Sequence, residues 1–214
     1  MESTLQKIKR TNSLLSLVNP VLTDESSRTR IKSIKSLLDH CGRKHIAPEG
    51  LSHAFLEKMI SCFPPGVNSK FQGVFTLDDF NIKKIDAYVR NPNWFAIINT
   101  VTKSSLLNGK VGHFVFFMKK NNVCYYIDPL GREPDTPHIW NQLCLSRNKY
   151  IVNRIKVQSS NSNYCGIFCL CFTLLFVDAV CKVNDLRKLF SVNNRDGLND
   201  KRAVSYISKY IQKM

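Results

Sequence analysis

The sequence predicts an α+β fold in which a mixed sheet packs against a buried helix. Segments rich in aromatic and β-branched residues alternate along the chain with segments of helical periodicity. In addition, a nearly continuous apolar run, Tyr164–Val180, directly follows a polar loop. A helix that is apolar on all sides belongs inside the layers of a domain, so we expect this run to pack against the sheet.

Length and composition restrict the class of protein. A chain of 214 residues is long enough for one compact domain, with an appendage, that buries its core without disulfides or metal. The eight cysteines form no Cys-x-x-Cys pair, so we expect a reducing compartment and no metal site. Residues Met1–Arg10 are polar and basic and contain no apolar signal region, so we expect a protein that is not secreted.

Two regions precede the core. Residues 1–47 carry nine basic and four acidic residues, which indicates a basic N-terminal extension. One helix is expected there, with apolar residues at Ile31, Ile34, Leu37 and Leu38 opposite Lys32 and Lys35. Residues 48–214 form the predicted main domain. It begins with a mixed helical segment that leads through Val74-Phe75-Thr76 into the core.

The core is predicted as alternating strands and helices. The Tyr164–Cys181 run approaches the length of a membrane span, but Asp178 and the preceding polar loop favour a buried helix, so we expect no membrane contact. A last amphipathic helix presents Val204, Ile207 and Ile211 to the core. The remaining predicted elements are a strand (Trp94–Val101), a hairpin (His113–Leu130), a helix (His138–Ser146), a strand (Tyr150–Gln158) and the buried helix (Tyr164–Val180).

Cys165 is the predicted nucleophile because it stands at the start of the buried helix. Backbone N–H groups in the first helical turn have no partner within the helix, and with the helix dipole they favour a thiolate and a negative tetrahedral oxygen. Gln158, which begins the polar loop before Cys165, is the predicted side-chain donor to that oxygen. Gly166 lacks a side chain, and we expect it to let a substrate backbone approach closely.

His113 and Asp128 are the predicted base and the acid that orients it. Two strand-like segments flank Lys119-Lys120-Asn121-Asn122, which reads as a hairpin turn. If Asn121-Asn122 is a two-residue loop, Lys120 faces Val123, and His113 lies diagonal to Asp128 on one face. A loop one residue longer would reverse this parity.

Simpler roles apply to these residue types elsewhere. A lone histidine is commonly a core residue, and Cys169, Cys171 and Cys181 are interpreted as buried core cysteines. Cys41-Gly42 repeats the dipeptide at Cys165 but has no glutamine loop before it. His40, Cys41 and His45 lie close in sequence, and we do not interpret them as a metal site.

The order His, Asp, Gln, Cys resembles the adenain-like and SUMO-protease-like cysteine peptidases, and it is more similar to the adenain family. That family's pattern V-Q-x-x-N-S-x-x-C-G-[IL]-F-C matches Val157 to Cys169. Ala96 to Thr100 and Tyr126 to Gly131 are also similar to adenain segments, so the resemblance covers residues 94 to 178. The chain departs from the family at Phe114, where Trp is usual, and at Asp128, where adenain has Glu. Tyr164 stands where SUMO proteases have Asp.

The resemblance implies a papain-like or adenain-like fold and a cysteine endopeptidase. Its catalytic residues are Cys165, His113 and Asp128, with Gln158 in the oxyanion hole and Gly166 against the substrate. It further implies cleavage of viral precursor polypeptides at glycine-containing sites during virion maturation, for a virus or virus-like element, in the virion and host nucleus. The chemistry needs no cofactor. Adenain-like enzymes are stimulated by DNA and by a disulfide-linked peptide; here no cysteine stands at that family's linking position before Gln158, and Cys144 is the nearest candidate.

The net charge of +15 indicates a surface that attracts polyanions, and DNA is the expected partner. A basic surface that only improves solubility is the simpler alternative. Two rival functions stay open: a protease that removes SUMO-like or ubiquitin-like modifiers, and a nucleic-acid-binding protein without enzymatic activity. Acyl transfer by a protease-like fold is a third, because the triad alone does not distinguish it.

Overall fold

The computed structural model of this protein describes residues 51–88, 92–145, 149–178, 181–191 and 197–211. The predicted basic extension, residues 1–47, lies outside these ranges, and so do Cys41-Gly42, His40 and His45. The domain boundary at residue 48 therefore stays a prediction.

A mixed sheet of five strands forms the centre of the α+β fold, as the sequence predicts. Its strands are β1 (Phe71–Phe75), β2 (Trp94–Asn99), β3 (Phe114–Lys120), β4 (Val123–Ile127) and β5 (Lys149–Val152). They lie side by side in chain order. The two outer pairs are parallel and the two inner pairs are antiparallel.

Helices cover both faces of the sheet. A wider, π-helical segment (Thr173–Asp178) and a 3₁₀ turn (Val183–Asp185) complete the helical structure that the described residues contain. The α-helices are α1 (His53–Ser61), α2 (Pro65–Asn68), α3 (Ile82–Tyr88), α4 (Lys103–Leu107), α5 (Pro137–Leu145), α6 (Cys165–Phe172), α7 (Leu186–Leu189) and α8 (Leu198–Ile211).

The apolar runs of β2 and β3 arise because these central strands are covered on both faces. Side chains alternate across a strand, so Phe95 joins the core cluster that contains α6, whereas Trp94 joins the cluster formed with α3 and α5. Phe116 of β3 makes an edge contact with Phe172 of α6, with ring centroids 6.2 Å apart. This contact joins the helix that carries Cys165 directly to the middle of the sheet.

All eight residues of α6 are buried, as expected for a helix that is apolar all round. The predicted buried helix is confirmed from Cys165, but its turns widen over Thr173–Asp178. At this change the Thr173 hydroxyl donates to the Cys169 carbonyl, 3.0 Å away. None of the helices in the described ranges has the length and apolar character needed to cross a membrane.

The hairpin has the predicted register. Lys120 pairs with Val123, and the two loop residues, Asn121 and Asn122, have φ of 51° and 59°. Two consecutive left-handed residues form the type I′ turn, whose twist matches that of the flanking strands, and asparagine tolerates this conformation well.

Two predicted strands are too long. The strand predicted as Tyr150–Gln158 ends at Val152, because the Asn153 side chain bonds to nearby backbone and takes the chain out of the sheet. The strand predicted as Trp94–Val101 ends at Asn99, whose side chain accepts a hydrogen bond from the Val101 N–H. In both places an asparagine side chain competes with the ladder for backbone hydrogen bonds.

Candidate active site

His113 and Asp128 meet at the open end of the hairpin, opposite its turn. His113 directly precedes β3 and Asp128 directly follows β4. The His113 Nε2 lies 2.7 Å from Asp128 Oδ1. The same Oδ1 accepts the Leu130 N–H at 2.7 Å, so the carboxylate is fixed by a backbone donor as well as by the imidazole. The predicted pair is thus brought together by the predicted register.

A tight turn holds Asp128 in place. The Gly131 N–H donates to the Asp128 carbonyl at 2.8 Å. Gly131 has φ +68°, and a Cβ there would lie 2.6 Å from the Lys156 nitrogen. Only glycine satisfies both demands, because a side chain would be strained and would collide with backbone. The glycine therefore lets the turn after Asp128 lie directly on the segment that leads to Gln158.

A second layer of side chains supports the segment before His113. A Cβ on Gly112 would lie 1.7 Å from Asn99 Oδ1, so the absence of a side chain makes room for this buried amide. The Asn99 Nδ2 donates to His53 Nε2 at 3.1 Å. The centroids of the His53 and Phe114 rings are 5.4 Å apart. Burial lowers the pKa of His53, with an opposing influence from Glu57, which agrees with a neutral, accepting ring.

The protonated form of His113 is favoured in the folded protein. Burial lowers the pKa of this imidazole, but hydrogen bonds and charge interactions with Asp128 and Cys165 outweigh burial and raise the pKa to about 9. Since Nε2 faces Asp128, Nδ1 is the ring nitrogen left for the Cys165 sulfur. A cationic imidazole beside a cysteine is the setting in which cysteine nucleophiles occur, so the arrangement supports the predicted pairing of His113 with Cys165.

Cys165 is the first residue of α6, as predicted, and 7% of it is exposed. It borders a cleft of about 180 Å³ together with His113 and Gln158. The walls of the cleft include Leu51, Val111, Gly112, Arg132 and Asn163.

Gln158 is buried, with 1% of its surface exposed, and borders the same cleft. Its Nε2 donates to the Ser162 carbonyl at 2.6 Å. A primary amide nitrogen carries two hydrogens, so this bond leaves a second N–H to donate to a ligand. The Gln158 Oε1 is buried without a hydrogen-bond partner within the described part of the chain.

Packing explains why residue 166 is a glycine, and the sequence alone did not indicate this. A Cβ at this position would lie 3.2 Å from Leu51 Cδ1 and 3.3 Å from Leu56 Cδ2, so its missing side chain makes room for the segment around α1. The predicted contact between Gly166 and a substrate stays a prediction.

The neighbouring cysteines differ from Cys165 in their surroundings. Cys169 and Cys171 are buried in the core, as predicted, and burial raises the pKa of both thiols. Cys181 is partly buried, and burial raises its pKa as well. Thiols of this kind stay protonated and unreactive at neutral pH. Within the described ranges, no group of three or more His, Cys, Asp or Glu side chains could hold a metal ion.

Two comparisons with known proteins give no match. The chain matches no protein-family model. No curated protein shows significant similarity to it. The residues of the site and the motif around Cys165 are therefore the guides to function.

Proposed function

We propose that this protein is a cysteine endopeptidase with a papain-like, adenain-like fold. In this proposal it cleaves precursor polypeptides at glycine-containing sites during the maturation of a virus or virus-like element. The observation that carries the proposal is the meeting of three groups: Asp128 holds the Nε2 of His113 at 2.7 Å, and Cys165, at a helix start, borders the same cleft as His113 and interacts with its imidazole. The resemblance of residues 157–169 to the adenain motif supports it independently.

The reaction begins with the Cys165 thiolate. The sulfur attacks a peptide carbonyl, and the carbonyl oxygen becomes an oxyanion that accepts hydrogen bonds from the Cys165 N–H and the Gln158 amide. The His113 imidazolium then gives its proton to the departing amine, which leaves a thioester on Cys165. Neutral His113 next takes a proton from water, which attacks the thioester and releases the acid. Asp128 keeps the ring oriented and stabilises its cationic form throughout.

DNA is the proposed stimulator. The chain contains 31 Lys and Arg against 16 Asp and Glu, and such an excess binds phosphates with release of counterions. Binding to the same DNA concentrates enzyme and substrate, and the effect weakens as salt rises. An activating peptide remains part of the proposal, and virion and host nucleus are the proposed locations.

The test is hydrolysis of glycine-containing peptides, with and without DNA, at low and high salt. We expect the wild type to cleave, Cys165→Ala to be inactive, and DNA to stimulate only at low salt. Cys62→Ala is the matched control, because Cys62 is a half-buried thiol that does not border the cleft. Cleavage of Gly-Gly modifier fusions alone would instead indicate a deconjugating protease, and an inert Cys165 would indicate a non-enzymatic protein.

A further inference from the structure

The start of α8 holds the backbone on both sides of Gln158. On one side, the Asn199 Nδ2 donates to the Val157 carbonyl at 3.0 Å. On the other side, the Ser159 N–H donates to Asp200 Oδ1 at 3.4 Å. Both α8 residues are buried, with 0% and 5% exposed, and neither borders the cleft. We call these two residues the α8 clamp.

The orientation of the Asn199 amide is determined by its own partners. Its Oδ1 accepts the Ser191 N–H at 3.0 Å, and its Nδ2 donates to the Ser191 carbonyl at 2.7 Å. An amide turned the other way would place oxygen against both carbonyls and nitrogen against an N–H. The donor must therefore face Val157, and the bond to Val157 follows from the hydrogen-bonding network.

The backbone of Val157 and Gln158 is also held from the side of the loop that follows Asp128. The Pro129 carbonyl accepts both the Val157 and the Gln158 N–H, each at 2.9 Å. Pro129 directly follows Asp128, so Gln158 lies between the loop of the acid and the start of α8. Among the residues that the structure describes, the Gln158 side chain has one hydrogen bond, to the Ser162 carbonyl, and so its position depends strongly on that of its backbone.

We propose that Asn199 and Asp200 are positioning residues that set the Gln158 amide for oxyanion stabilisation; this rests on the proposed function. Neither borders the cleft, and both bond to the backbone beside Gln158, so their effect on the reaction passes through Gln158. Oxyanion donors act only when they are held at hydrogen-bond distance from the developing charge, and a displacement of about 1 Å can cost about 10²-fold in rate.

Two small reagents distinguish a loss of oxyanion stabilisation from a loss of the thiolate or of the folded structure. With p-nitrophenyl acetate, the Cys165 thiolate attacks the acetyl carbonyl through an oxyanion, forms a thioester and expels p-nitrophenolate. With iodoacetamide, the same thiolate displaces iodide and no oxyanion forms. The ratio of the two rates on Cys165 therefore reports the oxyanion hole, whereas thiolate loss or unfolding alters both rates. Cys165→Ala supplies the background from other cysteines.

We expect Asn199→Ala to lower this ratio by about tenfold or more and Gln158→Ala by about 10²-fold. In the Gln158→Ala background, Asn199→Ala should lower it less than about twofold further, because residues that act through one group are not additive. Multiplicative losses in the double variant, or an unchanged ratio in Asn199→Ala, would overturn the proposal.

Asp200 supplies a second, milder test should Asn199→Ala fail to fold by circular dichroism. Asp200→Asn keeps an oxygen that can accept the Ser159 N–H but removes the charge that favours a helix start. Asp200→Ala removes both. A ratio lowered in Asp200→Ala and restored in Asp200→Asn supports positioning; equal ratios in the two variants overturn it. If Cys165 of the wild type is acylated but the protein cleaves no peptide, the proposed function is contradicted, while the ratio of the two rates still tests the role of Asn199 and Asp200.

Discussion

His113 and Asp128 are 15 residues apart and are fixed by one hairpin, whereas the loop of Gln158 is fixed by Asn199, 42 residues away from the carbonyl it holds. The hairpin half depends on a two-residue turn and a strand register. The oxyanion half depends on side chains from a distant helix. Local chain geometry can therefore supply the proposed acid–base pair, but the position of Gln158, the proposed oxyanion donor, depends on the tertiary structure. The two halves should differ in how substitutions disturb them.

The largest effect is expected for the base. His113→Ala should lower kcat/KM for peptide hydrolysis by about 10²–10⁴-fold, because it removes proton transfer and the cation beside Cys165. His138→Ala is the matched control, since His138 lies on α5, donates from Nε2 to the Phe80 carbonyl at 2.9 Å and does not border the cleft. Equal losses in the two histidine variants would contradict the assignment of the hairpin half.

Gln158→Ala tests the other half and should cost about 10²–10³-fold in kcat, with the rate of iodoacetamide alkylation retained. The contrast with His113→Ala is direct, because that variant should lose both hydrolysis and alkylation. Steady-state kinetics and mass spectrometry of alkylated Cys165 provide the two readouts. Loss of alkylation in Gln158→Ala would indicate that the two halves are not separable.

Gly112→Ala tests the support behind His113. The added Cβ would lie 1.7 Å from Asn99 Oδ1, and overpacking of this kind typically costs about 1–3 kcal/mol of stability. Gly66→Ala is the matched control because nothing lies within 4 Å of its Cβ position. Thermal unfolding should show a lower Tm for Gly112→Ala only. A Tm unchanged from wild type would show that Asn99 does not need the space.

The turn should give a smaller effect. Asn122 has φ 59°, which a β-branched residue adopts at a cost of about 1–2 kcal/mol. Asn122→Val should therefore lower Tm, while Asn122→Gly should leave it nearly unchanged or raise it slightly. If both variants behave alike, the left-handed turn does not limit the hairpin.

A further prediction concerns pH. The pKa of His113 is raised from 6.5 to about 9 in the folded protein, so its protonated form contributes stability that is complete below pH 6.5. This contribution is lost as pH rises through about 9, because between these two pH values the unfolded chain has released the proton that the folded protein still holds. Tm should fall more between pH 6.5 and 9 in wild type than in His113→Gln. An equal fall of Tm in the wild type and in His113→Gln would contradict the raised pKa of His113.

The pairing of His113 with Asp128 could be predicted from the sequence because it depends only on local features of the hairpin. Asn121-Asn122 between two apolar segments indicated the turn, and the turn fixed which residues share a face. The helix start at Cys165 was equally visible, because a polar loop gives way abruptly to apolar residues. The strand ends were less accessible. Asn99 and Asn153 end their strands through side-chain hydrogen bonds, which periodicity does not reveal.

The supporting residues could not be found in the same way. His53 bonds to Asn99 across 46 residues of chain, and Asn199 bonds to Val157 across 42. Each contact depends on the packing of whole elements. Asn199-Asp200 did carry a signal typical of a helix start, but that signal says nothing about which loop the helix end would hold.

The proposed pairing of His113 with Cys165 is tested most directly by the alkylation rate of Cys165 as a function of pH, followed by mass spectrometry in wild type and His113→Ala. We expect Cys165 to react faster than Cys62 at neutral pH in the wild type, and we expect His113→Ala to abolish this advantage. A Cys165 that reacts no faster than Cys62, or equally fast in both proteins, would contradict the thiolate–imidazolium pair.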